Sequence, residues 1–359
     1  MAYIELHTQK LHQNFKKLNT LFKRNSIEWA IVTKLLCGNE SLLKEVINLG
    51  VNEFCDSRIS NLETIKKINS ELETVYIKPP AKEIIPAVIK YADASFNTEL
   101  ETIKWLSNEA EKQNKLHKVI IMVELGDLRE GVMGDELLDF YEEIFLLPHI
   151  KVTGIGTNLN CLSGVYPSQD KLIQLSLYKQ LIEAIFKRKI PWVSGGTSVV
   201  IPLIYKKQLP KGINHFRVGE TLFFGKDLTS NNLLPGMTED VLKLHAQIIE
   251  VHEKPMVPIG VRGENPSGDK IKIDKSDYGK KTFRAIIDLG VLDISKTDFI
   301  ATEDQRLSLV GASSDMLVVD LGDADSDYKV GDFISFKLTY MGALRAFNSD
   351  YIEKRVIVE

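Results

Sequence analysis

Trp29-Ala30-Ile31-Val32-Thr33-Lys34-Leu35-Leu36 is the stretch from which the rest of the chain can be read. Its first four residues are apolar without polar alternation. That texture predicts a short strand covered on both faces, as in a parallel sheet, ending close to Lys34. The same texture returns seven times, in NEFCDS (52–57), TVYIKP (74–79), DASFNT (93–98), VIIMVEL (119–125), VTGIGTN (152–158), PWVSGG (191–196) and HFRVG (215–219). Between these runs, apolar residues recur at spacings of three and four and predict amphipathic helices. Leu11, Phe15, Leu18 and Phe22 form one such face, and Leu42, Leu43, Val46 and Ile47 form another. Leu172, Leu175, Leu177, Leu181, Ile182 and Ile185 are read as a third. Eight strands, each followed by a helix, is the count of a (β/α)8 barrel. The alternative is an open doubly wound sheet, but no GxGxxG follows the first strand.

After about Gly225 the texture changes. Closely spaced strand candidates follow without long helices: 243–252, 271–275, FRAIIDLGVLD (283–293), LSLVGASSDMLVVDL (307–321), DFISFKLTYM (332–341) and YIEKRVIVE (351–359). Turn-rich linkers at 263–268 and 323–327 separate some of them. The pattern predicts a barrel over 10–226 and a mainly β C-terminal domain over 227–359, joined by an N-terminal strand within 1–9 whose Tyr3-Ile4-Glu5-Leu6 alternates.

Composition excludes several classes. Lys+Arg is 45 and Asp+Glu is 49 in 359 residues, a formal charge of −4, which argues against a protein built to coat nucleic acid or an anionic membrane. The three cysteines, Cys37, Cys55 and Cys161, form no CxxC, so a disulfide scaffold or thiolate metal site is not expected, and the count fits a reducing cytoplasm. No signal peptide is read at the N-terminus, and no run approaches the ~18 apolar residues of a membrane span.

In a (β/α)8 barrel the chemistry sits at the C-terminal ends of the strands. The polar residues expected there are Lys34, Asp56, Asn97, Arg129, Asn158, Cys161, Gly195, Gly196, Thr197, Ser198 and Arg217. Lys34 at the edge of an apolar strand is expected to be desolvated, which lowers an amine's pKa and favours Schiff-base chemistry; a lysine snorkelling to solvent is the alternative. In Ser194-Gly195-Gly196-Thr197-Ser198 the glycines let backbone approach a ligand and the hydroxyls add donors, as in a phosphate site; an ordinary capped turn is the alternative. A lysine and a phosphate cradle on one barrel face together suggest pyridoxal 5'-phosphate (PLP).

The segments VTKLLCGN (32–39), VELGDLREG (123–131), GIGTNLNC (154–161), SGGTS (194–198) and FRVGETLFFG (216–225) occur in the order found in fold-type III PLP enzymes, the alanine racemase-like barrels. GASSDMLVVDL (311–321) and LTYMGALRAF (338–347) look like that family's C-terminal β-domain motifs, so the resemblance covers essentially the whole chain. It is strongest to the alanine/ornithine racemase subgroup. The resemblance implies that Lys34 carries the cofactor in Schiff-base linkage and then acts as one catalytic base. It implies that Ser198, with Gly195, Gly196 and Thr197, binds the phosphate, that the backbone of Gly219 and Glu220 adds a second contact, and that Tyr340 reaches the phosphate from the second domain. Asn158 matches the position packing against the pyridine face, Arg129 the arginine on the phenolic oxygen, and Arg217 the arginine facing the pyridine nitrogen. An arginine only donates, so it keeps that nitrogen unprotonated and favours proton removal at Cα over decarboxylation. A structural arginine paired with Glu220 is the alternative for Arg217.

The chain departs from the family where the second base is expected. Alanine racemases use a tyrosine in a Gly-Tyr-x-Asp-Gly motif, contributed across a dimer; the matching stretch here is Gly290-Val291-Leu292-Asp293, and valine transfers no proton. Cys161, Tyr166 and Asp293 are the candidates. Met122 stands where some alanine racemases have a modified lysine, so Arg129 needs another partner, Asp127 or Glu130. Gly38 replaces a phosphate-binding tyrosine, which would open the pocket to a substrate longer than alanine. Glu124, Asp127 or Asp293 could then hold a distal ammonium, and Arg129, Asp127 and Asp315 are the expected substrate contacts. The resemblance implies a PLP-dependent amino-acid racemase acting on ornithine, a similar basic amino acid or alanine. A homodimer is expected, with the partner's C-terminal domain completing the site, and no nucleic-acid, membrane or metal partner. The rival readings are a basic amino-acid decarboxylase of the same fold, a non-catalytic PLP-binding homeostasis protein, and a metal-assisted aldolase or dehydratase. The last lacks a C-terminal His/Cys pair here, since the final histidine is His252.

Overall fold

The structure, a computed structural model, describes residues 2–264 and 273–358. They form two compact units, one of His7–Val241 and one of residues 2–6 with Leu242–Ile357. After strand β1 (Tyr3–His7), helix α1 (Thr8–Arg24) opens the larger unit. Leu11, Phe15, Leu18 and Phe22 are all buried along its inner face, as their spacing predicts. Then come β2 (Glu28–Val32), α2 (Glu40–Ile47), β3 (Glu53–Asp56), α3 (Ile59–Ile68), β4 (Glu73–Tyr76), α4 (Ile85–Tyr91), β5 (Ala94–Asn97) and α5 (Leu100–Lys112). The series continues with β6 (His117–Met122), α6 (Leu137–Ile144), β7 (Ile150–Gly156), α7 (Gln169–Phe186), β8 (Trp192–Ser194), β9 (Gly196–Thr197), α8 (Ile201–Tyr205), β10 (His215–Val218) and α9 (Glu220–Phe224).

These strands pair in parallel in the order β8-β7-β6-β5-β4-β3-β2-β10-β9. Only Gly195 separates β8 from β9, so they are one bent strand, and the two ends of the order meet there. The sheet is therefore closed: a (β/α)8 barrel in which all eight sequence-predicted strands appear. Alternate residues Ala30, Val32, Cys55, Val75, Ala94, Phe96, Ile120 and Met122 pack together in its interior. The segment between 226 and 242 stays with the barrel rather than opening the second domain. Asn14 of α1 both donates to Thr238 O at 2.8 Å and accepts from Thr238 N–H at 2.8 Å, and Lys10 pairs with Asp240.

Helix α7 differs from its sequence reading. Leu172, Leu175 and Ile182 are buried, but Leu177, Leu181 and Ile185 are 55%, 45% and 49% exposed. The six apolar residues are two faces, not one, because leucine and isoleucine stand on the exposed side of the helix as well as on the buried one. No helix among the described residues is long and apolar enough to cross a membrane.

The smaller unit contains β11 (Leu242–Pro255), β12 (Lys281–Ile287), α10 (Val291–Ile294), β13 (Ile300–Thr302), β14 (Ser308–Ala312), β15 (Leu317–Asp320), β16 (Phe333–Leu338), α11 (Tyr340–Asn348) and β17 (Glu353–Ile357). Its sheet runs β13-β16-β11-β12-β15-β14, and β1 pairs with both β11 and β17. Of the strand expected at 271–275, residues 271 and 272 lie outside the described residues, and Lys275–Asp277 is a single 3-10 turn. The turn-rich linker 263–268 lies outside them beyond residue 264.

Candidate active site

The C-terminal rim of the barrel is sorted by strand alternation. Cys55 and Phe96 point inward, so their neighbours Asp56 and Asn97 point outward, away from the barrel interior. Both were expected in the polar ring, and the one-residue register removes them. Asp56 accepts from Thr33 Oγ1 at 2.8 Å, Arg58 N–H at 2.9 Å and Asn61 Nδ2 at 3.1 Å, and burial pushes its carboxyl up. Asn97 bonds back to Ser95. Asp56 nevertheless serves the rim from behind, because Thr33 precedes Lys34.

Lys34 lies just beyond β2, on the 3-10 turn Lys34–Leu36, and its side chain is exposed within its own unit rather than desolvated as expected. Its charge acts on the Cys161 thiol and the Glu220 carboxyl, so the three side chains share one electrostatic neighbourhood. Glu220 was expected to contribute only backbone. Burial pushes its carboxyl up, with Lys34 pulling the other way.

Arg217 is 4% exposed and lies over the Phe96 ring, its guanidinium carbon 4.9 Å from the centroid. One terminal nitrogen donates to Ser194 O and Ser194 Oγ, both at 2.6 Å; the other donates to Thr157 O at 2.9 Å and Asn158 Oδ1 at 3.3 Å. Its hydrogen-bond partners do not include Glu220. The Nε–H has no partner among the described residues.

Asn158 carries the network outward. Its Nδ2 donates to Glu130 Oε1 at 2.8 Å, and Glu130 also pairs with Arg129. Of the two acids expected to orient Arg129, Glu130 is the one that does so. Asp127, expected to touch substrate, is 1% exposed and accepts backbone N–H groups from Cys161 at 3.0 Å, Leu162 at 2.9 Å, Ser163 at 3.2 Å and Val165 at 3.3 Å. Burial raises its carboxyl, but those four donors outweigh burial and hold it below the usual carboxylate range. Glu124 likewise accepts from the backbone of Gly126, Leu128 at 3.0 Å and Arg129 at 3.1 Å. The two carboxylates thus tie the loops after β6 and β7 into fixed shapes. Cys161 sits on the second loop as an exposed residue; burial of its sulfur pushes the thiol up while Arg129 and Lys34 pull it down. Tyr166 is 55% exposed.

In Ser194–Ser198 the glycines have packing reasons. A Cβ on Gly196 would stand 2.1 Å from the Phe216 ring, and one on Gly195 would stand 3.0–3.2 Å from Ile213, Leu175 and Leu172. Thr197 pairs with Arg217 across β9 and β10. Ser198 Oγ accepts from Thr221 N–H at 3.2 Å, which joins this loop to Gly219-Glu220 and leaves the hydroxyl proton free to be donated. Gly38, read as a pocket-opening change, has φ +75°, and its Cβ would stand 2.6 Å from Asn61 Oδ1, so local packing already requires glycine there.

The remaining sites belong to the smaller unit. Val291 starts α10, its N–H bonded to Ser313 O at 2.9 Å. Asp293, a candidate base, accepts from Gly290 N–H at 3.3 Å and Ser349 Oγ at 2.7 Å, so it caps α10 and ties it to the end of α11. Asp315 is exposed in the β14–β15 turn against Gly290, and Tyr340 is the first residue of α11. A cleft of about 540 Å³ lies at the opposite end of the barrel, lined among others by Lys66, Lys115, Lys118 and Asp93. Its lysines are held by Asp93, Glu73 and backbone carbonyls, so the convergent chemistry lies at the other rim.

Sequence reasoning missed His215 and Glu53, which continue the Arg217–Ser194 contact into the barrel interior. The signal was the two-residue spacing from His215 to Arg217 and from Glu53 to the inward Cys55.

Comparison with known proteins matches the alanine racemase N-terminal domain over residues 6–227. The chain is 38% identical to an ornithine racemase of Acetoanaerobium sticklandii over 355 residues, covering 99% of each. It is 31% identical to a lysine racemase of Thermotoga maritima over 349 residues, covering 97% of this chain and 96% of that one. An alanine racemase of Bartonella henselae, solved with covalently bound pyridoxal phosphate, shares the fold with a TM-score of 0.73 at 17% identity, covering 99% of each chain. The chain therefore belongs to the alanine racemase family and is an amino-acid racemase, an isomerase built on a (β/α)8 barrel.

Proposed function

We propose that the chain is a cytoplasmic, PLP-dependent racemase of a basic amino acid, ornithine or lysine. The observation that carries the cofactor assignment is Arg217. Both its terminal nitrogens are spent on Ser194, Thr157 and Asn158, which leaves the Nε–H as the guanidinium donor open to a ligand. A guanidinium N–H only donates, and a pyridine ring nitrogen fits it as acceptor. Ser198, with a hydroxyl proton to give, fits a phosphate oxygen. The similarity to ornithine and lysine racemases along the whole chain supports the basic substrate.

PLP, when bound, supplies the electron sink that makes a Cα proton removable at neutral pH. Lys34 is the covalent anchor and the base on one face of Cα. Cys161 is the acid/base on the other: its thiol is pushed up and starts protonated, complementary to an amine that starts by accepting. Asp127 holds the Cys161 loop in place. Arg217 offers only donors, so the group it meets stays an acceptor, and the arrangement favours proton return over loss of carbon dioxide. Glu124, Asp127 and Asp293 spend their oxygens on backbone N–H groups and the Ser349 hydroxyl, and Asp315 is kept as the substrate contact expected from the family resemblance. The enzyme works as a homodimer in which the partner's smaller unit completes the site, an assignment that rests on the family.

The deciding experiment is solvent exchange at Cα in deuterated water with L- and D-ornithine, lysine and alanine. Exchange and racemisation of ornithine or lysine are expected; carbon dioxide release, or turnover of alanine alone, would overturn the reading. In Lys34→Ala, borohydride no longer fixes the cofactor to the chain. Mixing Lys34→Ala with Asp315→Asn restores activity if subunits share sites.

A further inference from the structure

Inside the barrel runs a polar chain that the reaction described above does not use. His215 lies two residues before Arg217 on β10, so both side chains point inward. Its Nδ1 is 2.6 Å from Ser194 Oγ, and its Nε2 is 3.1 and 3.2 Å from the two carboxylate oxygens of Glu53. The indole of Trp192 stacks on the imidazole, with centroids 4.7 Å apart and planes 16° apart. Ser194 and His215 are fully buried, Arg217 is 4% exposed and Glu53 is 8% exposed.

The protons can be assigned by elimination. Arg217 only donates, so Ser194 Oγ accepts from it and keeps its own hydrogen to give. The acceptor within reach is His215 Nδ1. An imidazole that accepts at Nδ1 carries its hydrogen on Nε2, and there a carboxylate receives it. The bonds therefore run one way, from Arg217 through Ser194 and His215 to Glu53.

We propose that Glu53 and His215 are positioning residues for Arg217. The relay fixes the Ser194 hydroxyl in the rotamer that grips one guanidinium nitrogen, and it ends the arginine's buried positive charge on a carboxylate across the barrel. Neither residue touches substrate. The inference rests on the reading of Arg217 as the donor to the cofactor ring.

The test uses the full-length protein loaded with PLP, and the variants Glu53→Gln, Ser194→Ala, Ser194→Thr, Arg217→Lys and the double variant Arg217→Lys/Glu53→Gln. Glu53→Gln and Ser194→Ala are expected to keep the wild-type far-ultraviolet circular dichroism. They should shift the visible absorption of the bound cofactor in the same direction as Arg217→Lys. Their kcat should fall about tenfold with KM nearly unchanged, the scale of a slightly misplaced active-site group. Ser194→Thr, which keeps the hydroxyl, restores spectrum and rate. The double variant is no worse than Arg217→Lys alone, because the relay acts only through the arginine. Should Glu53→Gln fail to fold, Glu53→Asp and Ser194→Ala carry the same comparison. A wild-type spectrum and rate in Glu53→Gln and Ser194→Ala, beside a shifted Arg217→Lys, would overturn the relay alone. A wild-type spectrum in Arg217→Lys would overturn the placement of the arginine, and the relay with it.

Discussion

Asp127 shows how little a residue type says about its role until its partners are known. As a carboxylate near the rim it reads as a substrate contact, yet four backbone N–H groups fill it. Asp127→Ala should therefore act through the Cys161 loop and lower kcat by tenfold or more, on the order of the loss from a misplaced reacting group; steady-state kinetics with wild-type circular dichroism would check it. His117 gives a pH prediction. It is 2% exposed, bonded to Ser95 Oγ at 2.8 Å, and burial pushes its imidazole down to about 4. Between that value and the ordinary ~6.5, the unfolded chain binds a proton that the folded chain does not, so stability is full above the window and falls as pH drops through it, by at most about 3 kcal/mol. Urea melts at pH 7 and pH 4.5 should show the loss, and His117→Gln should flatten it. The positions of Lys34 and Arg217 at the rim were legible because each closes or follows an apolar run that reads as a strand. The relay behind Arg217 was not, because Ser194, His215 and Glu53 come from three strands that only the closed barrel brings together.

The strands were legible as elements because burial on both faces writes an unbroken apolar run, as in Ala30–Val32 and Val119–Met122. What those runs hide is parity. Asp56 and Asn97 face outward because Cys55 and Phe96 face inward, and a run apolar on both sides does not reveal which is which. Helix α7 fails for the same reason: its exposed Leu177 has the same chemistry as its buried Leu175. Leu175→Ala should cost about 2–5 kcal/mol in urea denaturation, while Leu177→Ala should stay within about 0.5 kcal/mol. The β8–β9 bend makes a sharper demand. A methyl group on Gly196 meets the Phe216 ring at 2.1 Å, so Gly196→Ala should cost about 3 kcal/mol or more. It should also weaken PLP binding, measurable by equilibrium titration, because β9 leads directly into Ser198.

At the scale of the whole molecule, the alternation of Tyr3–Leu6 placed β1 in the smaller unit, and β1 does pair antiparallel with β11 from Tyr3↔His245 to Leu6↔Leu242. With β17 on its other side, β1 is an interior strand. Removing residues 2–6 should unpair both neighbours and melt the smaller unit while leaving the barrel's parallel pairing intact; hydrogen exchange resolved by segment would show protection lost in β11 and β17 and kept in β2–β10. The same pairing sets an order of events on the ribosome. β1 (Tyr3–His7) is synthesised before the whole barrel, and its neighbours β11 (Leu242–Pro255) and β17 (Glu353–Ile357) only after it. The barrel can close while synthesis continues. One edge of the first strand stays bare until β11 has followed it and the other until β17 has, so β1 is open to strand-mediated aggregation while the barrel is being made.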